Sequence, residues 1–183
     1  YAELVQALIT DWRELWNMPD MPFLLVQLPN FMQKHDKPTD SGWARIREAQ
    51  LQAFKTIPNT ALAVTYDVGE WNDIHPLNKK DMAKRLFLGA RKVVYGEKLV
   101  YAGPVYKDMK VEGNKIIITF TETGRGLMAK GGILKHFAIA GEDRQFVWAE
   151  AVIRGNKVIV SSKDVKQPVA VRYAWSDNPE DAN

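Results

Sequence analysis

The chain has 183 residues, with 25 lysines and arginines against 22 aspartates and glutamates and a formal net charge of +3. A composition that is 46% hydrophobic and 26% charged excludes a disordered or fibrous chain, and this length makes one domain or two small ones that need no disulfide or metal staple. Cysteine is absent, which excludes a thiol nucleophile, a cysteine zinc site and any disulfide framework.

An amphipathic helix is predicted over residues 2–16, where Leu4, Val5, Leu8, Ile9, Trp12, Leu15 and Trp16 share one stripe of period 3.6. Pro19 and Pro22 prevent its continuation. Phe23-Leu24-Leu25-Val26, between Pro22 and Pro29, reads as a strand buried on both faces of a parallel sheet. Residues 30–40 are turn-rich loop, and Ser41 is placed to cap the next helix. That helix turns Trp43, Ile46, Ala49, Gln50, Ala53, Phe54 and Ile57 inward and stops at Pro58. A second strand is predicted over 60–68. A loop over 69–76 follows, then a third helix from about 78 to 95 with Met82, Leu86, Ala90 and Val93 inward and Gly96 as its stop. Helix, strand, helix, strand, helix implies a parallel sheet with helices packed on it.

At Gly103-Pro104 the pattern changes to strands alone, over 105–111, 115–121, 136–140, 146–153, 157–161 and 169–175. Glu112-Gly113-Asn114 and Gly155-Asn156 are hairpin turns. Residues 124–132, with four glycines, read as a flexible loop, and the polar tail 176–183 as frayed. The division is therefore 1–103, α/β, and 104–183, β-rich and sandwich-like. Two parallel strands cannot cover three amphipathic helices, since sheets usually have four to six strands. Either strands of the β-rich half complete that sheet, or the chain is one piece of a longer protein.

Bases and acids are balanced in both halves. The dense cluster Lys79, Lys80, Lys84, Arg85, Arg91 and Lys92 lacks the interleaved aromatics that stack bases, so it reads as a solvated helix face with no nucleic-acid partner. No apolar run approaches the ~20 residues of a membrane span, and no signal-peptide pattern precedes the first helix.

Among three histidines, His75 stands out. It lies in Trp71-Asn72-Asp73-Ile74-His75-Pro76, at the carboxyl end of a predicted parallel strand, where open α/β sheets place their sites. Asp67 and Asp73 are carboxylates able to fix the tautomer of its imidazole. The same three residues could ligate one ion, but no second histidine stands at metal-ligand spacing, so no metal or other cofactor is expected. His35 reads as solvated loop and His136 as a packing or capping residue. Trp71 is either a core anchor or a platform for a sugar ring, and Gln27 either points into a site or satisfies backbone groups. Ser41 reads as a helix cap, while Ser161, Ser162 and Ser176 lie outside the strand–turn–helix elbow a serine nucleophile needs. A general base is present without a convincing nucleophile.

Several stretches together resemble the sialate O-acetylesterase family, a branch of the SGNH/GDSL-type serine esterases. They are Leu8-Ile9-Thr10-Asp11-Trp12-Arg13, Pro22-Phe23-Leu24-Leu25-Val26-Gln27-Leu28-Pro29-Asn30-Phe31, Trp43-Ala44-Arg45-Ile46-Arg47-Glu48-Ala49-Gln50, Asp73-Ile74-His75-Pro76, Arg85-Leu86 with Gly89-Ala90, Phe137-Ala138-Ile139-Ala140-Gly141-Glu142-Asp143 and Ala170-Val171-Arg172-Tyr173-Ala174-Trp175. The resemblance implies that 1–103 is the C-terminal part of an SGNH-type three-layer α/β esterase domain and 104–183 a β-rich accessory region. It implies His75 as the catalytic histidine. Relatives in the wider superfamily carry the orienting aspartate three residues before the histidine, where this chain has Asn72. Asp73 is then the first choice as orienter, Asp67 the second, and a backbone carbonyl the third. The nucleophilic serine belongs to family blocks upstream of Tyr1, so the upstream segment is an expected partner and the chain alone is expected to be inactive.

The implied reaction is removal of O-acetyl groups, the 9-O-acetyl group first among them, from sialic acid, in a periplasmic or secreted setting. Esterases of acetylated xylan in the same superfamily offer an alternative. The esterase reading predicts an exposed apolar face on the first helix or the first strand. A competing reading, a carbohydrate-binding or interaction module, predicts exposed aromatics among Trp148, Trp175, Tyr106 and Tyr173, most of which strand alternation places inside.

Overall fold

The computed structural model describes residues 1–182. Helix α1 (Ala2–Leu15) ends before the prolines are reached. Asn17 takes a left-handed φ of 52°. Its N–H donates to Glu14 O, and that of Met18 to Arg13 O, the paired bonds of a Schellman stop. Strand β1 (Phe23–Val26) leads to α2 (Gly42–Thr56), whose first turn Ser41 caps by accepting from Ala44 N at 2.9 Å. Strand β2 (Thr60–Ala63) pairs parallel with β1 from Phe23↔Thr60 to Val26↔Ala63. It stops five residues short of the predicted end because its neighbour stops: Pro29 has no N–H to extend the ladder. Helix α3 (Lys79–Val93), capped by Asn78, packs on the sheet through Gly89, where an added Cβ would stand 2.7 Å from Ala61 Cβ.

Among the described residues the parallel sheet has only β1 and β2, and no strand of the second half joins it. Its core is small: Ile9, Ala53 and Ile57, with Val5, Phe23 and Leu25 against them. The expected burial of β1 on both faces fails, since Leu24 is 38% and Val26 40% exposed. Of the α1 stripe only Ile9 is buried. Leu4, Leu8, Trp12, Leu15 and Trp16 face solvent, as does the outer edge of β1. At the end of that edge the Gln50 amide stands in for a missing strand, accepting from Leu28 N at 2.9 Å and donating to Val26 O at 3.3 Å.

The second half forms two antiparallel sheets. One has the order β3 (Val105–Glu112), β4 (Lys115–Thr121), β8 (Lys157–Ser161), β7 (Glu150–Arg154), and the other the order β6 (Val147–Trp148), β5 (Phe137–Ala140), β9 (Ala170–Tyr173). Both feed one core of Ile116, Ile118, Phe137, Ile139, Val158 and Val160. The single strand predicted over 146–153 is two strands: the chain leaves one sheet at Ala149 and enters the other, as corner strands of packed sheets do. Within 176–182 the tail is not frayed. Ser176, Asn178, Pro179 and Ala182 are buried, and Arg47 donating to Ser176 O and Asn178 Nδ2 donating to Met32 O tie the segment to the first half; Asn183 lies outside the described residues.

Candidate active site

The loop after β2 is fixed by side chains that bond backbone. Gly69 sits so close to Asn30 that an added Cβ would stand 2.5 Å from its carbonyl oxygen, and Gly69 N donates to Asn30 Oδ1 at 2.7 Å. Met32 N donates to Trp71 O at 2.8 Å. Glu70 and Asp73 form an antiparallel bridge with Trp71-Asn72 at its tip, and the Glu70 carboxylate accepts from Leu77 N at 3.3 Å.

Within this frame His75 N donates to Asp73 Oδ1 at 2.7 Å, and His75 Nδ1 lies 3.3 Å from the same oxygen. The backbone N–H of His75 above all, and then its ring, hold the Asp73 carboxyl below its usual range, because hydrogen bonds to a carboxylate favour the charged form. An ionised Asp73 selects the tautomer with the proton on Nδ1. Nε2 then keeps its lone pair and takes no partner among the described residues. The His75 side chain is 82% exposed. The pair is exposed, with one ring nitrogen held against a carboxylate.

Asp67 is engaged elsewhere. Arg85 grips both of its oxygens, at 2.6 and 2.7 Å, which also removes Asp67 from any three-ligand metal site with Asp73 and His75. Ser41 is a cap, and no imidazole stands against its hydroxyl among the described residues. Its hydroxyl donates to Asp177 Oδ1 at 2.6 Å, and His35 Nε2 stands 3.9 Å from the other Asp177 oxygen. That order, serine–aspartate–histidine, leaves no imidazole against the hydroxyl to take its proton. Ser162 accepts from Asp164 N, and Ser176 is buried.

Trp71 is 56% exposed and anchors no core among the described residues. Gln27 is buried, with Nε2 donating to Arg47 O at 3.0 Å and Oε1 without a partner among the described residues, so only its nitrogen satisfies backbone. His136 packs edge-on against Trp148 and bonds Glu180 O. In the basic cluster Arg85 and Arg91 are paired with Asp67 and Glu97, and the lysines are solvated. Of the four aromatics a binding module would expose, Tyr173 packs on Phe137 and Trp175 on Arg172. Trp148 and Tyr106 are half exposed, a correction to strand alternation, but Trp148 Nε1 donates to Asp36 O and Tyr106 lies under Lys55.

One residue escaped sequence reasoning. Arg47 is buried on α2, donating to the carbonyls of Ala174, Ser176 and Asp177, and burial lowers its pKa to about 10. The spacing of Ala44, Arg47 and Gln50 on the inward stripe was the available signal.

No protein-family model matches the chain. It is 31% identical over 98% of its length to the sialate O-acetylesterase of Mus musculus, and 32% identical over 94% to that of Homo sapiens. It spans 37% of the length of each. A crystal structure of a carbohydrate acetylesterase from Xanthomonas citri matches it over 100% of its length with a TM-score of 0.94 and 46% identity, the chain covering 42% of that protein.

Proposed function

We propose that this chain, homologous along nearly its whole length to a segment of the sialate O-acetylesterases, carries the general base of a carbohydrate O-acetyl esterase whose nucleophilic serine stands upstream of residue 1. The observation that carries the reading is the Asp73–His75 pair, with Nδ1 held and Nε2 free. The serine hydroxyl attacks the acetyl carbonyl carbon while His75 Nε2 takes its proton, with Asp73 stabilising the imidazolium. Collapse of the tetrahedral intermediate breaks the ester C–O bond, and the imidazolium returns the proton to the departing sugar hydroxyl. Water, deprotonated by His75, then releases acetate from the acylated serine. Donors for the oxyanion belong to the upstream segment as well.

Residues 1–103 are assigned in this reading to an SGNH-type α/β esterase domain and 104–183 to its β-rich accessory region. Sialic acid esters are the proposed substrate, after the names of the curated relatives. The proposed setting is periplasmic or secreted, where such sugars are met. The exposed apolar face of α1 and β1, which this reading expects, supports it. Among the described residues no helix is long and apolar enough to cross a membrane.

The test is hydrolysis of an aryl acetate by the chain joined to its upstream segment. His75→Ala is expected to lower kcat by about a thousandfold, and Asp73→Asn by about tenfold to a hundredfold, the smaller loss reflecting a solvent-exposed orienter. A His75→Ala protein within tenfold of the parent overturns the proposal.

A further inference from the structure

We infer that Trp71 and Asn72 form a sugar-binding tip beside His75, the indole stacking on the apolar face of the sugar ring that carries the acetyl ester. The inference rests on the reading of His75 as the base and extends it to the residues that hold the substrate.

The two residues are the two-residue tip of the turn closed by the Glu70–Asp73 bridge. Asp73 and His75 follow directly, so whatever docks on the tip lies over the same short loop as the base. A loop tip of this kind is usually mobile, but this one is tied down: Trp71 O takes Met32 N, Met32 O takes Asn178 Nδ2, Gly69 is locked to Asn30, and Glu70 bonds Leu77 N. The side chains at the tip are therefore presented by a rigid support, the condition under which binding groups keep their affinity.

The chemistry of the tip is unspent. The indole is 56% exposed and stacks on no other ring, and the Asn72 side chain, also exposed, makes no hydrogen bond among the described residues. A sugar ring offers a face of C–H bonds and an edge of hydroxyls. An exposed indole matches the first, and a free carboxamide, with two donors and an acceptor, matches the second. Asp73 meets both His75 N and Nδ1, which leaves the Asn72 carboxamide available to substrate.

The test compares two substrates on the chain joined to its upstream segment: an O-acetylated sialic acid and an aryl acetate with no sugar. Trp71→Ala is expected to lower the ratio of kcat/KM for the sugar ester to kcat/KM for the aryl ester by about tenfold, chiefly through KM, and Trp71→Phe to keep it within about threefold. An unchanged ratio in Trp71→Ala overturns the inference. So does an equal loss on both esters together with a lowered Tm, which would make Trp71 a packing anchor. Aryl acetate turnover that survives His75→Ala would instead sink the parent reading, so the two failures are distinguishable.

Discussion

Arg47 is the side chain on which the C-terminal segment hangs. Its guanidinium is buried and bonds Ala174 O at 2.9 Å and Ser176 O, with Asp177 O at 3.5 Å. Its pKa of about 10 keeps it charged at neutral pH despite the burial that lowers it. Arg47→Ala leaves those carbonyls buried without donors and is expected to cost about 3 kcal/mol, read as a lower urea midpoint at constant m-value. A change below about 0.5 kcal/mol would contradict the role. His136 makes the pH dependence asymmetric. Burial lowers its pKa, so the unfolded chain binds the proton more readily, and the stability this residue contributes at neutral pH is lost as pH falls from about 6.5 through the folded value. Tm is expected to drop between pH 7 and pH 5.5, a window above the carboxylates, and less so in His136→Gln. An equal drop in both would show the ring is not responsible. The Asp73–His75 contact was legible in the sequence because it is made within three residues. Arg47 was not, because its carbonyl partner at Ala174 lies 127 residues away, and no local pattern encodes such a reach.

At the level of elements, helix α3 meets the parallel sheet where it has no side chain. Gly89 lies against Ala61 Cβ, with Leu24 Cδ2 also in contact range of an added Cβ at 3.7 Å. Alanine there would gain about 0.5–1 kcal/mol of helix propensity but lose about 1–3 kcal/mol to overpacking against strand β2. Gly89→Ala is expected to destabilise by about 1 kcal/mol in urea unfolding, and a stabilised variant would mean that the helix shifts freely on the sheet. The helices, both hairpin turns and the parallel order were readable from periodicity and turn residues. Strand ends were less so, because a strand ends where its partner does. Strand β2 stops at Ala63 when β1 runs into Leu28-Pro29, and the run over 146–153 divides where it changes sheets at Ala149. Both are facts of pairing, not of composition.

For the whole molecule, the pattern of exposure departs most from that of a self-sufficient protein. Leu8 and Trp12 are 53% and 50% exposed on α1, and Leu24 and Val26 stand open on the other side of the same two-stranded sheet. Large apolar side chains left open on both sides of a sheet mark an interaction site, and among the described residues the edge of β1 is unpaired but for the Gln50 amide. The imbalance between two strands and three amphipathic helices was visible in the sequence, while the side of the sheet left bare was not, since periodicity identifies an apolar face without saying what covers it. The chain spans 37% of the length of the curated relatives it matches, and the central claim is that its base works with a serine supplied from outside these residues. The most direct measurement is hydrolysis of a chromogenic acetate ester by the purified chain alone and by the chain joined to its upstream segment, each with His75→Ala as control. The account predicts no turnover above control for the chain alone and turnover that depends on His75 once the segment is joined. Turnover by the chain alone, lost in His75→Ala, would place a nucleophile within these 183 residues, point to Ser41, and contradict the account.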